Sequence, residues 1–202
     1  MAVHARDVLD MMQVHSSLRA AVAECGLVVG TTCRPGLYRD GALTPRALAP
    51  HILAAAEANR VALVFGPEDS GLTNEDLRFC HRLATIPTDS AYSSLNVAQA
   101  VLLCCYELFI VAQAEEEVSS PSRPLAMAER QELMYEKLKR ALLKVGFLHG
   151  DNPDHIMFAL RRILGRAGLE DRDVRILLGM ARQIEWYANG GWRLHDGEGE
   201  NP

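Results

Sequence analysis

The chain has 202 residues, 49% of them hydrophobic and 23% charged, with a formal net charge of −5. That make-up fits one globular domain, or one domain with a small appendage, and excludes low-complexity and collagen-like chains. Five cysteines (Cys25, Cys33, Cys80, Cys104 and Cys105) at irregular spacing, without a Cys-x-x-Cys, do not form a disulfide framework, and with seven scattered histidines they give no metal site.

No apolar run approaches the roughly 18 residues of a membrane span. The start, MAVHARDVLDMM, lacks the basic-then-apolar layout of a signal peptide. Both features set a cytoplasmic expectation. Charge is uneven along the chain. Residues 1–122 carry 8 basic and 14 acidic groups, residues 123–182 carry 12 and 8, and residues 183–202 carry 1 and 4. The basic excess after residue 122 can attract phosphate or simply solvate a helical surface.

In chain order, Ser16-Ser17 before LRAAVAEC reads as a capped short helix. Leu27–Thr32, LVVGTT, is an apolar run suited to a buried parallel strand. After the loop RPGLYRDG, Thr44-Pro45 opens a helix to about Asn59. Val61–Phe65 is a second strand. Thr73 with Asp76 comes close to a capping box and opens the helix NEDLRFC. LATIP is a third strand, stopped by Pro87. From Leu95 the chain is helical to about Gln113, with Ala98, Val101, Leu102, Cys105, Leu108, Phe109 and Ala112 on one apolar face. EEEVSSPSRP breaks the pattern as a linker.

Beyond it the chain is helical only. Met134, Leu138, Ala141, Leu142 and Val145 mark one helix, ended by Gly146. Ile156, Ala159, Leu160, Ile163 and Leu164 mark a second, with Asp151 or Asn152 as cap. Val174, Leu177, Leu178, Ala181 and Ile184 mark a third. Three short helices bury little by themselves, so they are expected on a partner surface or a second subunit. The boundaries are a domain at 1–114, a linker at 115–124, a helical extension at 125–188 and a flexible tail at 189–202.

No GxGxxG, P-loop or GxSxG is present. The polar groups gather instead in three loops after the three strands: Gly30 to Arg34, Gly66 to Leu72, and Ile86 to Asn96. Open α/β sheets bind ligands there. Gly66 and Gly71 let backbone approach a ligand. Glu68 can accept hydrogen bonds or stand as a surface carboxylate. Ser94 and Asn96 precede a long helix and can cap it or face a substrate, capping being the simpler role for Ser94.

The combination VFGPEDSGLTNEDL, IPTDSAYSSLNVAQAV and YEL closely resembles the SpoU branch of the SPOUT superfamily, S-adenosylmethionine-dependent RNA ribose methyltransferases. Within it the chain looks most like the bacterial tRNA (cytidine/uridine) 2′-O-methyltransferases acting at position 32 of the anticodon loop. NPDHIMFALRRILGRAGLEDRDVRILLGMARQIEW resembles that subgroup's C-terminal extension. The likeness runs from about Leu27 to Trp186.

The resemblance implies an α/β fold whose parallel sheet carries a deep trefoil knot over about Val61–Gln113, plus a small all-α extension. It implies a homodimer that methylates a tRNA ribose without metal. Carried over by position, Thr31, Thr32, Cys33, Gly66, Ile86, Ser94, Leu95 and Asn96 hold the cofactor, and Glu68, Ser94 and Asn96 are the catalytic candidates. Lys137, Lys139, Arg140 and Lys144 are the candidates for gripping RNA.

The family's first motif, an Asn and an Arg after an earlier strand, has no counterpart before Gly26. Arg6 stands in no such context, and Arg34 lies in a different loop. The fold is therefore expected to lack its N-terminal part, with an unpaired edge at LVVGTT or VALVF. Either this start is internal to a longer reading frame or the chain is a shortened relative. The alternative function is a catalytically degenerate dimer that binds RNA or cofactor.

Overall fold

The computed structural model describes residues 6–34, 36, 41–89, 92, 94–114, 123–149 and 153–191. Two short helices come first, α1 (Arg6–Asp10) and α2 (Leu18–Val22). Ser17 caps the second, its hydroxyl accepting from Ala20 N at 3.2 Å. Strand β1 (Leu27–Thr31) is the middle of a three-stranded parallel sheet of order β2-β1-β3. Leu27 stands opposite Val61 of β2 (Val61–Val64), and Val29 opposite Arg82 of β3 (Arg82–Ala84). Among the described residues β2 has a strand on one side only and is half-buried throughout.

Side chains alternate across a strand, so β1 feeds two cores. Val28 packs with Val22, Leu72, Leu77, Cys80 and Leu83 on one face. Leu27 and Val29 pack with Leu48, Ile52 and Ala84 on the other. Gly30 is required on the first face, because a Cβ there would stand 2.5 Å from Cys80 Sγ. Helix α3 (Pro45–Ala56) begins at the expected signal: Thr44 accepts from Ala47 N at 3.2 Å, with Pro45 in the first turn. The Thr73–Asp76 capping box is complete and opens α4 (Asn74–Leu77). This helix is shorter than the sequence pattern suggests. Phe79 N and Cys80 N bond back three residues, to Asp76 and Leu77, and His81 N then joins Val28 O at 2.8 Å, so the chain tightens and turns into β3.

Helix α5 (Val97–Ala114) corrects two expectations. It is 18 residues long with a mean hydropathy of 1.8, so by length and composition it could cross a membrane, contrary to the sequence reading. Its inward side is also not the expected stripe. Cys104 is buried and Val97, Ala100, Glu107, Leu108 and Val111 are half-buried, whereas Ala98, Val101, Leu102, Cys105, Phe109 and Ala112 are exposed. A helix apolar all round has no periodicity to say which side meets the core. Contacts with α3 set it: Leu108 packs against the core around Leu48 and Ile52, and beside it Arg46 holds Glu107 with two bonds, at 2.8 and 3.0 Å.

The remaining helices are α6 (Ala128–Lys144), α7 (Pro153–Ala167) and α8 (Asp171–Ala188). Gly146 follows α6 at φ +74, the left-handed conformation that suits glycine after a helix. The expected α7 caps, Asp151 and Asn152, most of the linker and nearly all of the tail lie outside the described residues. Arg130–Asp171 (3.0 Å), Arg140–Glu185 (2.6 Å) and Lys144–Asn189 (3.4 Å) show that α6 and α8 run in the same direction. The three helices share a core of Met134, Tyr135, Leu148, Met157, Leu169 and Val174.

They also pack on the sheet domain of their own chain. Ala128 and Phe158 join the core around Val28. A Cβ at Gly165 would lie 3.0 Å from His81 O, so α7 rests directly on β3. Helix α7 is therefore gripped from two sides: Met157, Phe158, Arg162 and Gly165 are its buried residues, while Ala159 and Ile163 of the expected face are exposed. Ala128 N and Glu129 N donate to Cys25 O (2.8 Å) and Ala23 O (3.0 Å), so carbonyls just past α2 satisfy the open amides of α6. Asn59 ties the chain entering α6, accepting from Leu125 N at 2.7 Å and donating to Arg123 O at 3.0 Å and Ala55 O at 2.8 Å.

Two outcomes follow from this docking. Asn59→Ala should cost about 1–3 kcal/mol, the scale of stranded partly buried polar groups, read as a lower urea midpoint. His81 is buried and its Nδ1 accepts from Val28 N at 3.1 Å, which requires a neutral ring. Burial, with a smaller contribution from the Arg161 charge, lowers its pKa to about 4. The unfolded chain takes up that proton near the ordinary 6.5. Stability should thus be complete above pH 6.5 and decline as pH falls toward 4. His81→Gln should flatten this decline in urea titrations across the window.

Candidate active site

The C-terminal ends of the three strands and the start of α5 enclose a cavity of about 290 Å³. That is near the lower end of the roughly 300–1,000 Å³ usual for small-molecule sites. Thr31 to Arg34 come from β1, Phe65 to Leu72 from the loop after β2, Ala84 and Ile86 from β3, and Ser94, Leu95, Val97 and Ala100 from the start of α5. Thr31 Oγ1 donates to Val64 O at 3.0 Å and joins the ends of β1 and β2.

The loop after β2 is a tight backbone structure. A Cβ at Gly66 would fall 2.2 Å from Gly71 C and 2.3 Å from Leu72 N. Gly71 sits at φ +61, and its amide donates to Pro67 O at 2.8 Å. The close approach that Gly66 permits here is to the loop's own backbone, at the wall of the cavity.

This fold aims Glu68 at the first turn of α5. Its Oε1 accepts from Asn96 Nδ2 and from Val97 N at 3.3 Å. Asn96 is the helix cap: its Oδ1 accepts from Ala98 N at 2.9 Å and its carbonyl from Ala100 N at 3.0 Å. Capping thus falls to Asn96 and Glu68 rather than to Ser94, whose hydroxyl makes no hydrogen bond among the described residues and lines the cavity.

Thr31, Thr32, Cys33, Gly66, Glu68, Ile86, Ser94 and Leu95 all line this space, and Asn96 stands one hydrogen bond behind it through Glu68. Lys137, Lys139, Arg140 and Lys144 lie on α6, away from the cavity. There Lys139 is paired with Asp154 and Arg140 with Glu185. Arg34, placed by the sequence in the first of the three loops but set aside as lying in a different loop from the family's first-motif Arg, is the one cation among the described lining residues. Its place directly after Thr31-Thr32-Cys33 was the available signal.

Apolar walls (Phe65, Leu72, Ile86, Leu95) beside a few hydroxyls (Thr31, Thr32, Ser94) suit a ligand with one flat apolar part and several polar groups. Among the described residues no three His, Cys, Asp or Glu side chains gather as metal ligands.

The chain is similar to known proteins. Residues 129–193 match the model of the C-terminal domain of the tRNA methyltransferase TrmJ. The chain is 37% identical over 197 residues to the tRNA (cytidine/uridine/adenosine-2′-O-)-methyltransferase TrmJ of Pseudomonas aeruginosa (strain UCBPP-PA14), covering 92% of this chain and 77% of that one. It is 36% identical over 194 residues to the tRNA (cytidine/uridine-2′-O-)-methyltransferase TrmJ of Escherichia coli (strain K12), covering 94% and 79%. The crystal structure of TrmJ from Z. mobilis ZM4 superposes with a TM-score of 0.74 at 30% identity, covering 91% of this chain and 78% of that one. Residues 1–106 match the SpoU rRNA Methylase model, and the chain belongs to the SpoU methylase family.

Proposed function

We propose that this protein methylates the 2′-hydroxyl of a tRNA ribose, at position 32 of the anticodon loop, with S-adenosylmethionine as donor. The observation that carries the reading is the joining of the Gly66–Leu72 loop to the start of α5 through Glu68 and Asn96, which closes a cavity beside the Ser94 hydroxyl. Family membership and tRNA-methylating relatives over more than nine-tenths of the chain support it.

S-adenosylmethionine supplies an activated methyl group when bound. Phe65, Leu72, Ile86 and Leu95 would wall its adenosyl portion, and Thr31, Thr32 and Cys33 would border its polar atoms. Glu68 is a positioning residue in this scheme: one carboxylate oxygen, Oε1, accepts from Asn96 and Val97 N and holds the helix start against the loop. Ser94 presents the free hydroxyl that orients the ribose. Orientation is the main contribution such a site makes to a weak nucleophile. Threading of the backbone through a trefoil knot over Val61–Gln113 belongs to the same reading.

The reading includes a homodimer. The exposed side of α5 carries Leu102 (68% exposed), Phe109 (59%), Tyr106 and Ile110. A face of this kind suits a second copy, and it accounts for an 18-residue apolar helix more simply than a bilayer does, since Glu107 on its other side is bonded to Arg46. The cytoplasm is the compartment in which tRNA would be met.

Purified protein should bind S-adenosylmethionine in a calorimetric titration and place a 2′-O-methyl group on tRNA, located by mass spectrometry of nuclease fragments. Cofactor binding without methylation would favour the binding-only alternative. Ser94→Ala should lower kcat about tenfold, one hydrogen bond's worth, with little change in cofactor affinity. Leu102→Glu with Phe109→Glu should turn a dimer into a monomer in sedimentation; an unchanged mass would exclude this face as the interface.

A further inference from the structure

The extension's charges are unevenly committed. Most of its described acids are occupied, Glu129 excepted: Glu132 by Arg161, Glu136 by Arg19, Asp154 by Lys139, Asp171 by Arg130 and Glu185 by Arg140, while Asp173 accepts from Glu170 N at 3.0 Å. Lys139 and Arg140, two of the cations first singled out for RNA, are compensated in the same way.

Arg172, Arg175 and Arg182 of α8 are different. All three are exposed, and among the described residues none holds an ion pair or a hydrogen bond. At about 100° per residue they fall along one edge of the outer face of α8, spread over roughly 15 Å of helix. Gly179 lies between them in angle, and nothing stands within 4 Å of where its Cβ would be. The edge is therefore three uncompensated guanidinium groups around a gap with no side chain. It sits on a chain whose net charge is −5, which disfavours a polyanion elsewhere.

We propose that this edge of α8 is a binding surface for the phosphodiester backbone of the RNA substrate, with Arg172, Arg175 and Arg182 on successive phosphates and Gly179 leaving room for the strand. The inference rests on the tRNA reading above and adds where the extension touches the nucleic acid. Arginine's planar fork suits bidentate phosphate contacts. Contacts of this kind carry affinity and its salt dependence rather than sequence choice.

The test uses full-length protein and fluorescent tRNA, with affinity measured from 50 to 200 mM salt. Arg172→Glu/Arg175→Glu/Arg182→Glu should bind at least tenfold more weakly, and the slope of log affinity against log salt should become shallower by roughly 2–3. The corresponding triple lysine variant should keep most of the slope. Melting temperature and S-adenosylmethionine affinity, unchanged in both, would show the fold intact. Wild-type protein that binds tRNA beside a glutamate variant with the same affinity and slope would overturn the proposal and leave the substrate reading standing. If that variant instead loses its dimer mass while tRNA binding holds, the face is a protein contact and the proposal falls. Wild-type protein with no affinity for tRNA would overturn the substrate reading and this inference with it.

Discussion

One carboxylate holds the candidate site together. Glu68 lies in the loop after β2, and the groups it accepts from, Asn96 and Val97 N, lie at the start of α5. The two segments are far apart in sequence and carry different walls of the cavity. Without a shared acceptor, the first amides of α5 would need water, and the helix start would be free to move away from the loop. The Gly66 approach reinforces the same geometry. A backbone-to-backbone contact that no side chain can enter sets the loop's shape, and the loop's shape aims Glu68.

The parts of the fold that the sequence displays are those governed by local chemistry. Ser17, Thr44 and the Thr73–Asp76 pair announce helix starts because a cap is a short-range hydrogen bond with a fixed spacing. LVVGTT is legible as a buried strand because both of its faces are apolar. Glu68 and Ser94 were legible from their loops, and other cavity-lining residues, Leu95 among them, through the family resemblance carried over by position.

What stayed hidden depends on which surfaces meet. The roll of α5 goes with Leu108 meeting the core around Leu48 and Ile52 and Glu107 meeting Arg46, sixty-one positions away, and no periodicity within the helix contains that information. The two-sided burial of α7 comes from Gly165 meeting His81, a contact whose signature is only a missing side chain. The cap at α5 falls to Asn96, with Glu68 arriving from another loop, and Arg34 was named in its loop but not assigned to the site, because its position at the cavity depends on where β1 ends relative to β2 and β3.

Composition draws a boundary near residue 114, where α/β texture gives way to helices. Packing draws none. Phe158 and Ala128, from beyond the linker, are members of the same buried cluster as Val28 of the central strand, and the carbonyls past α2 are satisfied by amides of α6. Removing the extension would take Ala128 and Phe158 out of the cluster around Val28 and lift Gly165 off His81. The two stretches are thus coupled: the helices keep a cluster of their own around Met134 and Val174, but the cluster around Val28 is complete only with Phe158 and Ala128 in place, and the chain should come apart in one calorimetric transition instead of two.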